Sequence, residues 1–357
     1  MRVAIAIGGA NSGKRDDWQE QVDYVVEAER LGVEDVWSAE AWGQDAVVPL
    51  AYLAAVTDRI RLGSGIMQVS ARTPSMTAMT ALTLATVSGN RYVLGLGVSG
   101  PQVVEGLQGQ PFADPIGRLR EHVDVVRLAF AGEKLVHEGR HHQLPRPGGQ
   151  GKALRLAQPG NADIPLYLAT LSPRSLRYTG EVADGWVGTS FVPEAADVLL
   201  EAIRAGAEAA GRAMGEVDLQ AGGSLAFGEL DALVPRYRPG LAFPIGAMGS
   251  RQQNFYNAAF RRAGYEDACE EIQRLWLDGK RDEAIARVPD ALVTTTTLLG
   301  DDDQVRARIR AYRDAGITTL RLQPEGRSLD ERLATLAHGL ELVREVEAGQ
   351  RAGTGAT

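Results

Sequence analysis

A carboxylate follows a glycine-rich turn within residues 91–109 (RYVLGLGVSGPQVVEGLQG). The stretch begins with a short apolar run that is typical of a strand buried in a parallel sheet. Gly95 and Gly97 weaken such a strand, so they indicate close approach to its backbone, either by neighbouring strands of a barrel or by a ligand. The turn that follows exposes backbone N–H groups, and Glu105 lies just beyond it. This arrangement suits a flat ligand with a polar edge.

The glycines of this stretch also spell G-L-G-V-S-G, which has the spacing of the dinucleotide-binding fingerprint. In that fingerprint the glycines open a helix after the strand, and an acidic residue about 20 positions later binds the ribose. Here two of the glycines lie inside the apolar run, and Pro101 directly follows the third. We therefore interpret them as glycines of a barrel strand rather than as a nicotinamide-binding unit.

Glu40 and Trp42 stand at the end of another predicted strand. Glu40 is either an acid, base or ligand of the site, because a carboxylate buried near a ring has a shifted pKa, or an ion-pair partner of Arg59 or Arg61. Trp42 is either a packing residue or a platform for a bound ring or substrate. Glu105 is either a helix-capping acid or a proton donor. The sequence leaves each pair of alternatives open.

Histidine and cysteine provide no metal site. His141 and His142 are adjacent, lie in a stretch rich in glycine and proline, and lack a third ligand, so we expect no metal there. The single cysteine, Cys269, excludes an intrachain disulfide and a cysteine-clustered metal site. Acidic residues flank it on a helical pattern, and we predict a structural role for it.

The composition is that of a globular protein. Hydrophobic residues make up 44% of the 357 residues and charged residues 24%, which is enough apolar material to bury a core. The net charge of −8 argues against a general nucleic-acid or membrane surface. The sequence has no run of about 18 apolar residues, and its start lacks the layout of a signal peptide. We therefore expect a cytoplasmic protein with neither a nucleic-acid nor a membrane partner.

Apolar strand patterns alternate with helical patterns along the chain. Eight such strands followed by helices predict an α/β fold, the (β/α)₈ TIM barrel. We predict one domain over residues 1–349 and a disordered tail at 350–357. An insertion at 229–298, mostly helical from Arg251 to Ala286, separates strands seven and eight. The predicted strands are residues 3–9, 35–40, 60–66, 92–98, 165–170, 185–190, 218–228 and 318–323.

A barrel places its active site at the carboxyl ends of the strands, in the loops that follow them. Polar or glycine-rich residues stand at these positions although each preceding strand is apolar. This contrast predicts a binding face there.

Four motifs stand in order along the chain. They are EAWGQD at 40–45, RIRLGSGIMQVSARTP at 59–74, RYVLGLGVSGPQVVEG at 91–106 and AFPIGAMGSRQQNFYN at 242–257. Together they resemble the bacterial-luciferase-like superfamily, in its branch of deazaflavin-dependent oxidoreductases, and the resemblance covers nearly the whole chain. That family is a TIM barrel with an insertion segment, is usually dimeric, and binds FMN or coenzyme F420, an 8-hydroxy-5-deazaflavin.

The resemblance implies a cofactor site at the ends of strands three, four and five. It implies a non-proline cis peptide at Gly65-Ile66 behind the central ring, and places Gln68 beside the ring system. Ser99, Gly100 and Glu105 match the loop that contacts the pyrimidine edge and the ribityl chain. The segment that holds the cofactor phosphate through backbone N–H groups matches Ala169, Thr170 and Leu171. Independently, Pro173 opens a helix whose N-terminus suits an anion, and Arg174 adds charge.

The function that the resemblance implies is an oxidoreductase dependent on coenzyme F420. A hydride would pass between the deazaflavin and a small organic substrate, with Glu40 or Glu105 as the acid or base. Some members carry a histidine as the catalytic acid where this chain has Glu40 and Ala41, which leaves the proton donor open. The first alternative is an FMN-dependent monooxygenase that uses reduced flavin and oxygen. The second is a barrel that binds a cofactor or a partner without catalysis.

Overall fold

The computed structural model describes residues 1–8, 13–250 and 253–354, with residues 350–354 described by their backbone alone. In the main sheet, β1 pairs in parallel with β12, β10 with β9, β11 and β12, β3 with β2 and β5, and β5 with β4 and β8. The strands are β1 (Arg2–Ile7), β2 (Asp35–Ser38), β3 (Arg61–Ser64), β4 (Met67–Gln68), β5 (Tyr92–Gly97), β6 (His137–Glu138), β7 (Gln143–Leu144), β8 (Leu166–Ala169), β9 (Gly185–Val187), β10 (Asp218–Phe227), β11 (Leu298–Gly300) and β12 (Thr319–Pro324).

Helices follow the main strands, and further helices lie between β10 and β11. The α-helices are α1 (Arg15–Leu31), α2 (Val47–Ala54), α3 (Pro74–Val87), α4 (Pro115–Phe130), α5 (Pro173–Val182), α6 (Asp197–Ala209), α7 (Leu230–Gly246), α8 (Phe255–Phe260), α9 (Glu266–Leu277), α10 (Arg281–Ala286), α11 (Asp290–Thr296), α12 (Asp302–Asp314) and α13 (Leu329–Thr354). The predicted disordered tail begins at residue 350, whereas α13 runs through Thr354. Residues 355–357 of that tail lie outside the described residues.

The eight predicted strands correspond to β1, β2, β3, β5, β8, β9, β10 and β12, and each differs from its prediction by at most three residues at either end. The (β/α)₈ class is thus confirmed. The structure adds β4, β11 and an antiparallel β6–β7 hairpin, and β7 lies in the glycine- and proline-rich stretch that contains His141 and His142. Within the described residues, no helix is both long and apolar enough to cross a membrane.

The chain divides into two compact units. Unit one is Met1–Ala6, Trp18–Glu34 and Thr170–Thr357, and unit two is Ile7–Asp17 and Asp35–Ala169. The prediction of one domain over residues 1–349 stays a prediction.

Unit two contains the strand order β2, β3, β5, β8, with β4 paired to β5. Trp37 on β2 is buried and packs against Gly63 of the neighbouring strand β3, since a Cβ at Gly63 would lie 2.4 Å from the Trp37 ring. A Cβ at Gly95 would lie 1.9 Å from the carbonyl oxygen of Ser64. These contacts explain the glycines of the fourth predicted strand, because a neighbouring strand approaches Gly95 closely. At the other end of β2, the buried Asp35 pairs with Arg61.

His122 on α4 is fully buried in unit two, where its Nε2 lies 3.0 Å from the hydroxyl of Thr77 on α3. Burial lowers its pKa to about 3, with further lowering by the nearby charges of His142 and Arg118. The His142 ring lies 5.7 Å from the His122 ring, and burial lowers its pKa too. His122 is therefore a neutral core residue of the folded protein.

This burial makes stability depend on pH. The unfolded chain binds a proton at His122 near pH 6.5, whereas the folded chain binds it only near pH 3. The stabilisation is therefore fully present above pH 6.5 and is lost as pH falls from there towards 3, at up to about 1.4 kcal/mol per pH unit. When the pH is lowered from about 7 to about 5, we expect the free energy of unfolding to fall less in His122→Gln than in the wild-type protein, as measured by urea denaturation.

His338 provides the control of opposite sign. The hydrogen bond that the His338 ring donates to the carboxylate of Asp302 raises the pKa of His338, so its contribution is present below pH 6.5 and lost as pH rises through the raised pKa. His338→Gln should therefore lower stability at acid pH relative to neutral pH. An unchanged pH dependence in His122→Gln would contradict the assignment of His122 as a buried neutral group.

Unit one contains β9, β10, β12 and β1 in that order, with β11 also paired to β10. The helices between β10 and β11 enclose a separate apolar cluster, which includes Phe260 and Ile272. Helix α7 begins this segment although it carries Pro235, Pro239 and Pro244. The sequence predicts helix only from residue 251 onward, because prolines inside a helix remove hydrogen bonds and normally end it.

Cys269 lies in the same cluster and is fully buried. Burial raises the pKa of its thiol to about 12, so the residue is unreactive at neutral pH. This agrees with the structural role predicted for it.

Candidate functional site

Glu40 follows β2 and is the centre of a network in unit two. Its side chain is only 9% exposed and forms an ion pair with Arg72, with 2.5 Å between Oε1 and Nη1. The same oxygen accepts a 2.8 Å hydrogen bond from the N–H of Gln68. Of the two predicted ion-pair partners, Arg61 pairs with Asp35 instead. Glu40 therefore connects the loop after β2 to the segment that follows β3.

Arg72 also binds a second carboxylate. Its Nη2 lies 2.7 Å from Asp45, whose other oxygen accepts from the N–H groups of Val47 and Val48 at the start of α2. Burial alone would lower the pKa of Arg72, but the hydrogen bond and charge of Glu40 raise it. The guanidinium therefore stays charged and fixes both loops in place.

Gln68 on β4 is buried, and both the nitrogen and the oxygen of its side-chain amide form hydrogen bonds. Its Nε2 donates to the carbonyl oxygens of Glu40 and Ala41 at 3.1 and 3.4 Å. Its Oε1 accepts from Nε2 of Gln108. The Oε1 of Gln108 is buried and has no hydrogen-bond partner among the described residues. A buried acceptor of this kind matches a donor on a bound ligand.

The peptide bond between Gly65 and Ile66 is cis, at the position that the family resemblance implies. Ile66 packs against β5, since a Cβ at Gly97 would lie 2.9 Å from Ile66 Cγ1. Ser99 has a φ of +59° at the turn that follows β5. Beyond it, a Cβ at Gly100 would meet no described atom within 4 Å. The partly exposed Ile66 and the open space at Gly100 leave room for a flat ring.

Glu105 and Trp42 are exposed. Glu105 lies in a π-helical turn, Gln102–Leu107, and its carboxylate accepts from the N–H of Phe112 at 3.2 Å. Trp42 is 57% exposed in the loop after Glu40. Glu105 is not part of the Glu40 network, so the two carboxylates occupy different environments.

The predicted phosphate segment runs from the end of β8 in unit two into unit one. Thr170 is held by a 2.7 Å hydrogen bond to Thr179 and by Trp186, whose Nε1 donates to the Thr170 carbonyl at 2.9 Å. Ser172 caps the N-terminus of α5. Within the described part of the chain, the N–H of Leu171 has no acceptor. Arg174 is exposed at the first turn of this helix.

Arg262 is a cation beside this segment that sequence analysis did not identify. Its Nη2 donates to the carbonyl oxygen of Leu171 at 2.6 Å, and burial lowers its pKa. Arg262 also lines a polar cavity of about 340 Å³ together with Asn254 and Gln273. The contact joins positions 91 residues apart, so no local sequence pattern reveals it. Arg251, which stands in the fourth sequence motif, lies outside the described residues.

The family of luciferase-like monooxygenases matches residues 1–319 of the chain. A Mycobacterium tuberculosis protein named as a coenzyme F420-dependent oxidoreductase is 39% identical to this chain, over 85% of this chain and 90% of that protein. The 5,10-methylenetetrahydromethanopterin reductase of Methanolobus tindarius is 27% identical, over 83% of this chain and 87% of that enzyme.

A solved structure has the same fold. The coenzyme F420-dependent tetrahydromethanopterin reductase of Methanopyrus kandleri superposes with a TM-score of 0.79 at 22% identity. The superposition covers 97% of this chain and 99% of that chain.

Proposed function

This chain belongs to the luciferase-like monooxygenase family, on the side of its coenzyme F420-dependent oxidoreductases, and from that premise we propose that it is an F420-dependent oxidoreductase. It transfers a hydride between F420 and a small organic substrate at the carboxyl ends of the strands. The observation that carries the proposal is the Glu40 network, because it supports the segment after β3 against which a flat ring can lie. The cytoplasmic location and the absence of a nucleic-acid partner stay predictions.

The described residues fit F420. The open space at Gly100 accommodates a planar ring, and the buried Oε1 of Gln108 matches a ring donor. We assign the ring to Gly65, Ile66, Gln68, Ser99 and Gly100.

The segment Ala169, Thr170 and Leu171 is assigned separately to a phosphate. The unpaired N–H of Leu171 and the start of α5 suit an anion, and Arg174 adds charge at the same helix end. Arg262 adds a second positive charge through its contact with Leu171.

The chemistry divides between the cofactor and the chain. A deazaflavin has carbon in place of the flavin N5 and so supplies hydride transfer, while the protein supplies orientation and a proton. Glu40 acts by position, since it is bound to Arg72 and to the N–H of Gln68. Glu105 is the carboxylate available to move a proton, and exposed Trp42 is a platform for substrate.

The cofactor assignment is tested by titrating the purified protein separately with F420 and with FMN, followed by calorimetry. We expect saturable binding of F420 and much weaker binding of FMN. Gly100→Leu should weaken F420 binding, because its side chain fills the open space at that position. Gly215→Leu is the control and should leave F420 binding unchanged, since its side chain also enters open space but lies far along the chain, before β10. Preference for FMN would support the monooxygenase alternative and overturn the proposal.

The chain also presents an apolar surface that supports a homodimer. On α2, exposed Val48 and Tyr52 lie four residues apart and therefore share one helix face, and exposed Val56 follows just beyond the helix. On α3, which packs against α2, Met76, Met79 and Val87 are also exposed. Exposed large apolar side chains on two neighbouring helices favour an association site. We propose that a second copy of the chain covers it.

Val48→Glu is therefore expected to shift the protein from dimer to monomer, because the carboxylate would lose its hydration at the interface. Sedimentation equilibrium measures the change. Leu277→Glu is the control, since Leu277 is an exposed apolar residue on α9, outside this surface. A wild-type protein that sediments as a monomer would contradict the proposal.

A further inference from the structure

The strands of unit one have one face directed to the helices and one directed away from them. A Cβ at Gly339 of α13 would lie 2.4 Å from Leu225, so Leu225 on β10 faces the helices. Asp218, an odd number of positions from Leu225, faces the other way, where its carboxylate accepts from the hydroxyl of Thr319 on β12 at 3.0 Å. Gln220 and Arg321 share this inner face, because each is two positions along its strand from one of those residues.

Gln220 is an unsatisfied amide on the inner face. Its exposure is 0%, and neither Oε1 nor Nε2 has a hydrogen-bond partner among the described residues. Leaving a buried polar group unpaired destabilises the folded state, so folded proteins rarely do so without a reason. The side chain can both donate and accept, and a bound ligand would supply both partners.

Arg321 is an uncompensated cation diagonal to Gln220 across the β10–β12 register. Its Nη2 donates to the carbonyl oxygen of Gly188 at 3.3 Å, and its Nε is buried without a partner. Burial lowers its pKa. In the described part of the chain it forms no ion pair, whereas Arg2 on the same face pairs with Asp218.

The inner face becomes more accessible towards the carboxyl ends of its strands. Gln220 and Thr319 are fully buried, while Ser224 and Arg321 are partly exposed and Gln323 is exposed. A small ligand can therefore reach Arg321 from the end of the sheet at which barrel enzymes bind substrates.

We propose that Arg321 and Gln220 bind the substrate, and that the substrate is an organic anion with a hydroxyl or carbonyl group next to its charged end. Arg321 binds the carboxylate or phosphate, and Gln220 binds the neighbouring oxygen. An amide donates to a carbonyl and accepts from a hydroxyl, so Gln220 suits both the oxidised and the reduced form of such a substrate. This inference rests on the proposed oxidoreductase function and adds the substrate class to it.

The test uses calorimetry with four probes on the F420-saturated protein. Mandelate carries both the charge and the hydroxyl, phenylacetate lacks the hydroxyl, phenylacetamide lacks the charge, and inorganic phosphate distinguishes the two anion chemistries. We expect mandelate or phosphate to bind and the neutral amide not to bind. Arg321→Met should weaken anion binding by about tenfold or more, and Arg321→Lys by less. Arg310→Met, at an exposed position on α12, should change nothing.

A second variant tests Gln220 without removing the charge. Gln220→Leu should abolish the preference for mandelate over phenylacetate while anion binding remains. Anion affinity equal to wild type in Arg321→Met would overturn the proposal. So would loss of F420 binding in Arg321→Met with anion binding retained, because the arginine would then bind the cofactor's own anion. The titrations are then repeated on the apoprotein. If only the F420 assignment fails, the apoprotein should still bind the anion, and this outcome differs from the results above.

Discussion

Replacing Arg72 with methionine is expected to lower the free energy of unfolding by about 3 kcal/mol. The substitution removes the cation that pairs with Glu40, which is almost fully buried, and with Asp45. A buried carboxylate without its partner is far more costly than the intact pair. Because Glu40 also holds the N–H of Gln68, we expect F420 affinity to fall as well. Urea denaturation measures the first effect and calorimetry the second.

Two further variants make this prediction specific. Arg177→Met breaks an ion pair with Glu181 in which the arginine is about half exposed, and should lower stability by less than about 1 kcal/mol. Combining Arg72→Met with Glu40→Gln should recover part of the loss, because the double variant leaves no unpaired charge at Glu40. Equal stability of Arg72→Met and Arg177→Met would show that the Glu40 network does not hold the site together.

Gly95→Ala is expected to destabilise the protein by about 3 kcal/mol or to prevent folding. A Cβ at this position would lie 1.9 Å from the carbonyl oxygen of Ser64 and 3.3 Å from the Trp37 ring. Neither neighbour can move freely, since Ser64 bonds to both backbone groups of Gly95 and Trp37 is buried. The strands β3 and β5 would have to separate.

Gly106→Ala is the matched control for this substitution. Gly106 lies in the π-helical turn after β5, and a Cβ there would meet no described atom within 4 Å. Its effect on the unfolding free energy should therefore stay within about 1 kcal/mol of zero. Thermal or urea denaturation measures the stability of both variants. If Gly95→Ala were as stable as Gly106→Ala, β3 and β5 would approach each other less closely than these distances indicate.

The fold was largely predictable because each barrel strand is a short apolar run bounded by turn residues, and such local patterns persist in the structure. Helix α7 was missed because the local rule against Pro235 and Pro239 is outweighed by packing of Leu233 and Ile245 in the apolar cluster. The hairpin β6–β7 was missed because each of its strands is only two residues long.

The site was predictable only where a motif marked it. Gly65, Ile66 and Gln68 are proposed as ring contacts through the family resemblance, but no motif pointed to the partner of Glu40, because Arg72 reaches it only when the loop after β3 folds back. Arg262 and Arg321 carry no local signal at all. Their importance lies in the absence of a carboxylate partner among the residues that the structure describes, and that is a property of the folded chain.

Hydrogen–deuterium exchange of the protein with and without F420 tests the central claim most directly, since it reports where the cofactor binds. We expect F420 to slow exchange of the backbone amides in residues 65–69 and 98–108, and of Leu171 and Arg174. Residues of α10, remote from these segments in sequence, should not change. Binding of F420 with protection confined to other segments, or no protection anywhere, would contradict the proposed site.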